Sequence, residues 1–271
     1  MEANNSLDYF KYRNAWRFNG APHTETKLTE QDYHLLLKNG GYFVRNNYDF
    51  DTSEKTGFWY IVKDSFGALD ELSGNTRKKV RRSLEYFDFK IIDAQLVKDQ
   101  GYQIMCETYA DYHVVDRPMN RQVFDEMMAL FEKYQYDYWG VFDKNNGDFV
   151  GFCINRVWED CCGYEILGIL PKYKRKSTSY PYYGLYYSMN QYYLQERSFR
   201  YVTSGTRSVT EHSNIQPFLE EKFHFRKSYC RLEIHYNWWM KIAVKILYPF
   251  RKIITIPQVK AVLNMESMRT G

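Results

Sequence analysis

Three short apolar runs between residues 136 and 170 constrain the fold more than any other feature of the chain. YDYWGVFD (136–143) and DFVGFCINRVW (148–158) are rich in aromatic and β-branched residues. The KNNGD between them carries Asn146-Gly147, the strongest short-range hairpin signal. A polar turn leads to a third run, CGYEILGIL (162–170). The expected result is a three-stranded meander. Upstream, FKIIDAQLV (89–97) reads as a strand, followed by helices over 100–113 and 121–135, the second with Phe124, Met127 and Phe131 on one side. Downstream, Pro181 is placed to open a helix over 182–197. FRYVTSG (199–205) then reads as a strand, SNIQPFLEEKF (213–223) as a short helix, and FRKSYCRLEIHY (225–236) as a closing strand. The order β-α-α-β-β-β-α-β-α-β predicts an α+β class with an α/β mixed sheet: a meander, then two β-α-β steps. Before it, GFWYIV (57–62) is a strand candidate, while residues 1–56 mix polar turns with short apolar pieces and resist assignment.

A hydrophobic content of 44% with 26% charged residues suits a chain that buries a real core. The net charge is only +4, so any polyanion binding must come from local clusters. The most pronounced is LSGNTRKKVRRSLEYFDFKII (72–92), where Arg77, Lys78, Lys79, Arg81 and Arg82 interrupt only for Val80. Ser73, Asn75 and Thr76 are N-cap types, and Val80, Leu84 and Phe87 form one apolar stripe of the helix that follows. Cations at i, i+4 repel one another, so the cluster fits an anionic partner such as a phosphate, unless it is only a solvated face. A second cluster, Lys172 to Lys176, lies in the loop PKYKRKSTSYP (171–181).

The five cysteines show no CxxC pair and no histidine spacing for zinc, so reduced thiols and no metal are expected. MEANNSLDYFKYR lacks an apolar signal core, and no uninterrupted apolar run reaches the roughly 18 residues of a spanning helix. A cytoplasmic location follows as the expectation, with the inner face of a membrane as the alternative. The segment WWMKIAVKILYPFRKIITIPQVKAVL (238–263) mixes aromatic, aliphatic and basic residues. That composition suits a peripheral membrane contact as well as a helix docked on the domain.

This order of elements resembles the GNAT acyltransferase superfamily, including its branch of Fem-type peptidyltransferases, over residues of about 89–236. Three stretches carry the resemblance: GNTRKKVRRSLEYFDFKII, similar to the arginine-rich helix before the core; GVFDKNNGDFVGFCINRVWEDCCGYEILGILPKYKR, similar to the family's hairpin and long third strand leading into the donor loop; and SNIQPFLEEKFHFRKSYCRLEI, similar to its closing Asn–helix–Phe segment. The organisation it implies is an N-terminal extension packed on the core (1–70), a GNAT-like acyltransferase domain (71–236) and an amphipathic tail (237–271). The activity it implies is transfer of an acyl group from acetyl-CoA or another acyl-CoA to an amine or hydroxyl of a small molecule or cell-envelope precursor. The alternatives are an aminoacyl-tRNA-dependent transfer, with tRNA as partner, and a GNAT-like module that binds an anionic ligand or membrane surface without catalysis. The oligomeric state is not legible.

The roles implied by the resemblance fall on specific residues. Glu165 stands where a carboxylate takes the nucleophile's proton, with an ion pair to Arg156 as the competing reading. His212 is a further proton-transfer candidate or a helix-start residue, and Tyr186 is a donor to the leaving group or a core ring. The family's glycine-rich cradle is replaced by KYKRKSTSYPYYG, with no glycine before Gly184. Donor phosphates would then rest on Lys174, Arg175, Lys176, Ser177, Thr178 and Ser179, with Asn214 beside them. Asp116 and Arg117 in HVVDRPMN (113–120), with Arg156, Ser204 and Arg207, are candidates for acceptor binding. Glu220 lies near the place of the family's usual acid tyrosine, and His224 replaces a glycine.

Overall fold

A computed structural model of the protein describes residues 2–4, 7–12, 14–111, 119–174, 179–209 and 215–270. In chain order its elements are β1 (Glu2–Asn4), β2 (Tyr9–Tyr12), β3 (Ala15–Phe18), α1 (Glu30–Lys38), β4 (Phe43–Tyr48), β5 (Phe58–Lys63), α2 (Gly74–Tyr86), β6 (Phe87–Ile92), α3 (Ala94–Leu96), α4 (Tyr102–Asp111) and α5 (Arg121–Phe131). The meander β7 (Tyr136–Asp143), β8 (Phe149–Val157) and β9 (Cys161–Ile169) follows, and then α6 (Pro171–Lys174), α7 (Pro181–Asn190), β10 (Tyr201–Thr206), α8 (Ile215–Phe223), β11 (Arg226–Tyr236), α9 (Trp238–Leu247) and α10 (Pro257–Thr270). These form two compact units, residues 1–61, 206–213 and 227–271 in the first and 62–205 and 214–226 in the second. Residues 1–61 of the stretch read above as extension and all of the tail 237–271 fall in the first unit, as does most of β11.

In the second unit β6, β7, β8 and β9 are antiparallel in sequence order, and β10 joins β9 in parallel. Strand alternation sends Tyr138, Phe152 and Ile154 to one face, where they bury Val97, Ile104, Phe124 and Met128 from the helical segments at 97–131. The strand expected over 89–97 stops at Ile92, because the Asp93 carboxylate accepts from the Gln95 amide at 2.7 Å and opens helix instead. A π-helical turn (Val97–Gly101) continues that helix into α4. A second one, Gln191–Glu196, ends the helix expected to run unbroken to 197.

Helix α2 starts as its sequence predicts, with Ser73 accepting from the Thr76 amide. Its buried stripe is Thr76, Val80 and Ser83 rather than Val80, Leu84 and Phe87, since Phe87 already belongs to β6. The small stripe fits a close neighbour. At Gly184 in α7 a Cβ would stand 2.4 Å from the Phe89 ring and 2.4 Å from the Ser83 Oγ. Gly184, the first glycine after the loop 171–181, thus serves helix packing. Gly184→Ala is expected to destabilise the protein by about 1–3 kcal/mol, through overpacking, in urea denaturation.

In the first unit β1, β2 and β3 form an antiparallel ribbon, β4 pairs in parallel with β3, and β11 pairs antiparallel with β4. Helix α1 carries a reciprocal capping box between Thr29 and Asp32. It buries Tyr33 and Leu36 against Tyr9, Trp16 and Val44. The C-terminal helix α10 contributes Met265 and Met268 to a second cluster with Phe58, Cys230 and Leu232. All five cysteines are free thiols, four of them buried.

Candidate functional site

Strands β9 and β10 pair over three residues only: Tyr201 with Cys161, Val202 with Cys162, and Thr203 with Gly163. Beyond that point the two strands continue, to Ile169 and Thr206, without pairing to one another. The cause is local. On its other edge β9 pairs Ile166 with Ile154 and Tyr164 with Asn155, so Glu165 is an extra residue in a β-bulge. A bulge bends and twists its strand. Here it sits two residues past the last rung shared with β10. Past these rungs the Gly205 amide donates to the Thr203 hydroxyl at 3.2 Å instead of to β9.

The bulge also turns the Glu165 side chain outward. It is exposed and accepts a hydrogen bond from the Tyr136 hydroxyl at 3.1 Å. Tyr136 pairs across the sheet with Arg156, whose guanidinium lies 4.3 Å from the Tyr134 ring centre and 5.0 Å from that of Tyr136. Burial pushes the Tyr136 phenol far above its ordinary range, the Glu165 charge pushes it further, and the Arg156 cation opposes both. Tyr136 therefore holds its proton and donates it to the carboxylate. The Arg156 Nε is buried without a hydrogen-bond partner. An exposed carboxylate that accepts a hydrogen bond from a phenol and lies past the last β9–β10 rung is placed to accept a proton from an incoming nucleophile.

On the opposite face of β7, β8 and β9 lies a buried polar network. The Tyr193 hydroxyl donates to Asp137 Oδ2 at 2.8 Å and accepts from Trp139 Nε1 at 3.0 Å and from Asn155 Nδ2 at 3.3 Å. Cys153 Sγ donates to Asn155 Oδ1 at 3.0 Å, and Tyr164, next to the bulge, donates to Asn190 Oδ1 at 2.9 Å. The Asn190 Nδ2 is buried without a partner. Tyr193 sits in the π-helical turn that follows α7, so the irregular turn is what delivers its hydroxyl to the sheet.

No family model matches the sequence, and no curated protein matches it. Solved structures do. FemX aligns with a TM-score of 0.52 at 9% identity, over 74% of this chain and 75% of its own. L-PGS from Bacillus licheniformis aligns with a TM-score of 0.50 at 12% identity, over 96% of this chain and 84% of its own. The C-terminal domain of a lysylphosphatidylglycerol synthetase-type protein from Agrobacterium fabrum gives 0.53 at 11%, over 88% and 84%. The fold is GNAT-like, the one these structures share.

The expected site residues are not gathered in one place. Glu165 and Arg156 lie together beside the bulge, and Ser204 is the first residue of β10 past its last rung with β9. Tyr186 is 2% exposed, its ring among Tyr164, Phe218 and Phe223, which is the packing role that competes with proton donation. Ser179 is buried and spends its hydroxyl on the Tyr173 carbonyl at 3.0 Å, while the Lys174 Nζ lies 5.5 Å from the Tyr182 ring centre. Arg207 belongs to the first unit and donates to the Gly57 carbonyl at 2.7 Å. Asp116, Arg117, Arg175, Lys176, Ser177, Thr178, His212 and Asn214 lie outside the described residues. Tyr136 and the Tyr193 network were not anticipated. Their sequence signal was a polar residue, Asp137 or Asn155, inside an otherwise apolar strand.

Proposed function

We propose that the protein is an acyltransferase that seats an activated acyl group between β9 and β10 and passes it to an amine or hydroxyl. The parting of these strands after Gly163 and Thr203 carries this reading. The nucleophile attacks the acyl carbonyl and a C–N or C–O bond forms. The bond to the carrier breaks, and the nucleophile's proton passes to Glu165, directly or through one water, while water protonates the leaving group. The β9 and β10 backbone orients the acyl chain, and such positioning contributes to the rate by replacing a bimolecular encounter.

Acyl-CoA is the carrier proposed. Its phosphates would meet Lys174, Arg175 and Lys176 ahead of α7, which opens with Pro181 after a left-handed Tyr180 and has no side-chain cap. The acceptor is a small molecule or an envelope precursor. The name of one neighbour, a lysylphosphatidylglycerol synthetase, fits an acceptor of that kind. Acetyl-CoA should raise the melting temperature, and the triple neutralisation of Lys174, Arg175 and Lys176 should weaken its binding more than neutralising Arg81 and Arg82. No shift with any acyl-CoA would remove coenzyme A as the carrier.

A second reading, aminoacyl-tRNA as carrier, is favoured by one observation. Arg77, Lys78, Arg81 and Arg82 stand with Glu85 along one side of α2, and all but Arg77 are exposed. Among the described residues Lys78 and Arg81 have no ion-pair partner, so these charges are available to phosphates. Binding of tRNA that weakens steeply with salt, and that Lys78→Gln with Arg81→Gln reduces, would select this carrier.

A further inference from the structure

Helix α9 is docked by one side only. Val244 is buried, whereas Trp238 is 76% exposed, Ile246 59% and Ile242 and Trp239 are exposed with them. Trp238, Ile242 and Ile246 recur at i, i+4 and i+8, so they form one outward stripe, and Trp239 widens it. Lys241 and Lys245, also exposed, line its edge. The chain then turns at Tyr248–Phe250 and exposes Phe250, Ile253 (75%) and Ile256 (59%) before α10. Isolated apolar residues on a surface need no explanation, but seven within 19 residues of one segment do.

The charge of the same segment identifies what covers it. Between Asn237 and Met265 there are five basic residues, Lys241, Lys245, Arg251, Lys252 and Lys260, and no acidic one. A second copy placed face to face would set these cations against each other. A helix of ten residues followed by Pro249 is too short to cross a bilayer, and no helix among the described residues is long and apolar enough to do so. Indole rings, branched aliphatics and lysines on one short outward face match the headgroup region of an anionic leaflet, where rings and alkyl groups sink to the acyl boundary and the cations meet phosphates. We propose that residues 238–256 dock the protein on an anionic lipid surface, with Trp238, Trp239, Ile242, Ile246, Ile253 and Ile256 entering the interface and Lys241, Lys245 and Lys252 on its phosphates. This surface lies in the first unit and stands apart from the acyl-transfer reading, which rests on β9 and β10.

The test is sedimentation of the whole chain with vesicles of phosphatidylcholine and phosphatidylglycerol in a three-to-one ratio, followed by tryptophan emission. Binding with a blue shift is expected, and little binding to pure phosphatidylcholine. Each cation near such a surface contributes roughly fivefold to partitioning, so Lys241→Gln, Lys245→Gln and Lys252→Gln together should reduce it about 100-fold. Ile253→Ser with Ile256→Ser should also release the protein, at an unchanged melting temperature because both residues are exposed. Failure of the parent chain to sediment with anionic vesicles, or equal binding to both vesicle types, would overturn the proposal. So would a dimer in light scattering that Ile246→Glu dissociates while vesicles have no effect, which would make this face a contact between copies. Acetyl-CoA binding by a variant that no longer sediments separates this outcome from failure of the transferase reading.

Discussion

Glu165→Gln is expected to slow acyl transfer by about two to four orders of magnitude, the contribution of a well-placed general base, while leaving the melting temperature almost unchanged. The two halves of that expectation come from the same bulge. Because Glu165 is the extra residue of β9, it has no cross-strand partner on β8 and is exposed, so its replacement disturbs no core. The glutamine oxygen can still accept from the Tyr136 hydroxyl, so the local geometry survives. What is lost is the ability to hold a proton. Single-turnover measurement of transfer to an amine separates this step from binding. Tyr136→Phe is the control. It removes one donor to the carboxylate but not the base and should cost roughly tenfold or less. Equal losses in both variants would mean that Tyr136 matters for more than position, and an unaffected Glu165→Gln would remove Glu165 from the chemistry.

Tyr193→Phe is expected to be the most damaging loss of a single atom in the second unit, at about 2–4 kcal/mol in urea denaturation. The hydroxyl joins three groups. Without it the Asp137 carboxylate loses a donor, and the indole N–H of Trp139 and the amide of Asn155 each lose an acceptor in a site that little water reaches. The usual net value of one hydrogen bond does not apply, because the stranded partners remain buried. The ring contacts with Phe199 and Trp139 persist in phenylalanine, so the loss reports the polar atoms alone. Burial holds the phenol neutral far above its ordinary range. The raised value belongs to an acid that the fold keeps protonated, so its contribution is complete below the ordinary tyrosine pKa of about 10 and drains away above it. A cost under about 0.5 kcal/mol, typical of an exposed hydroxyl, would contradict the network.

The middle of the chain was legible because its signals are local. Asn146-Gly147 fixed the hairpin, and β7 begins and ends where YDYWGVFD does. Ser73 and Pro181 marked the starts of α2 and α7 within a residue. Misreadings arose where one side chain overrides a pattern. Asp93 caps a helix in the middle of an apolar run that reads as a strand. Residues 1–56 were opaque for another reason. β1, β2 and β3 have three, four and four residues, too few for an alternation to show, and β4 finds its second partner in β11, far away in sequence. In the candidate site, Glu165 could be singled out by its place in the third strand of the meander, but its bulge could not, because a register shift is a relation between two strands. Tyr136 and Tyr193 hid among 26 tyrosines, most of which look alike from sequence. The arrangement of Asp137 and Asn155 inside strands is what set them apart.

The first unit draws on residues 1–61 and 227–271, so its β4 must wait for β11 while about 180 residues are made between them. On a ribosome adding roughly 5–20 residues per second, that interval lasts on the order of ten seconds or more. The second unit, complete at residue 226, can collapse in that time. Phe43 and Phe58, whose cluster is closed by Cys230, Leu232, Met265 and Met268, are then without those neighbours during translation and are natural clients for chaperones until the last strand and helix emerge.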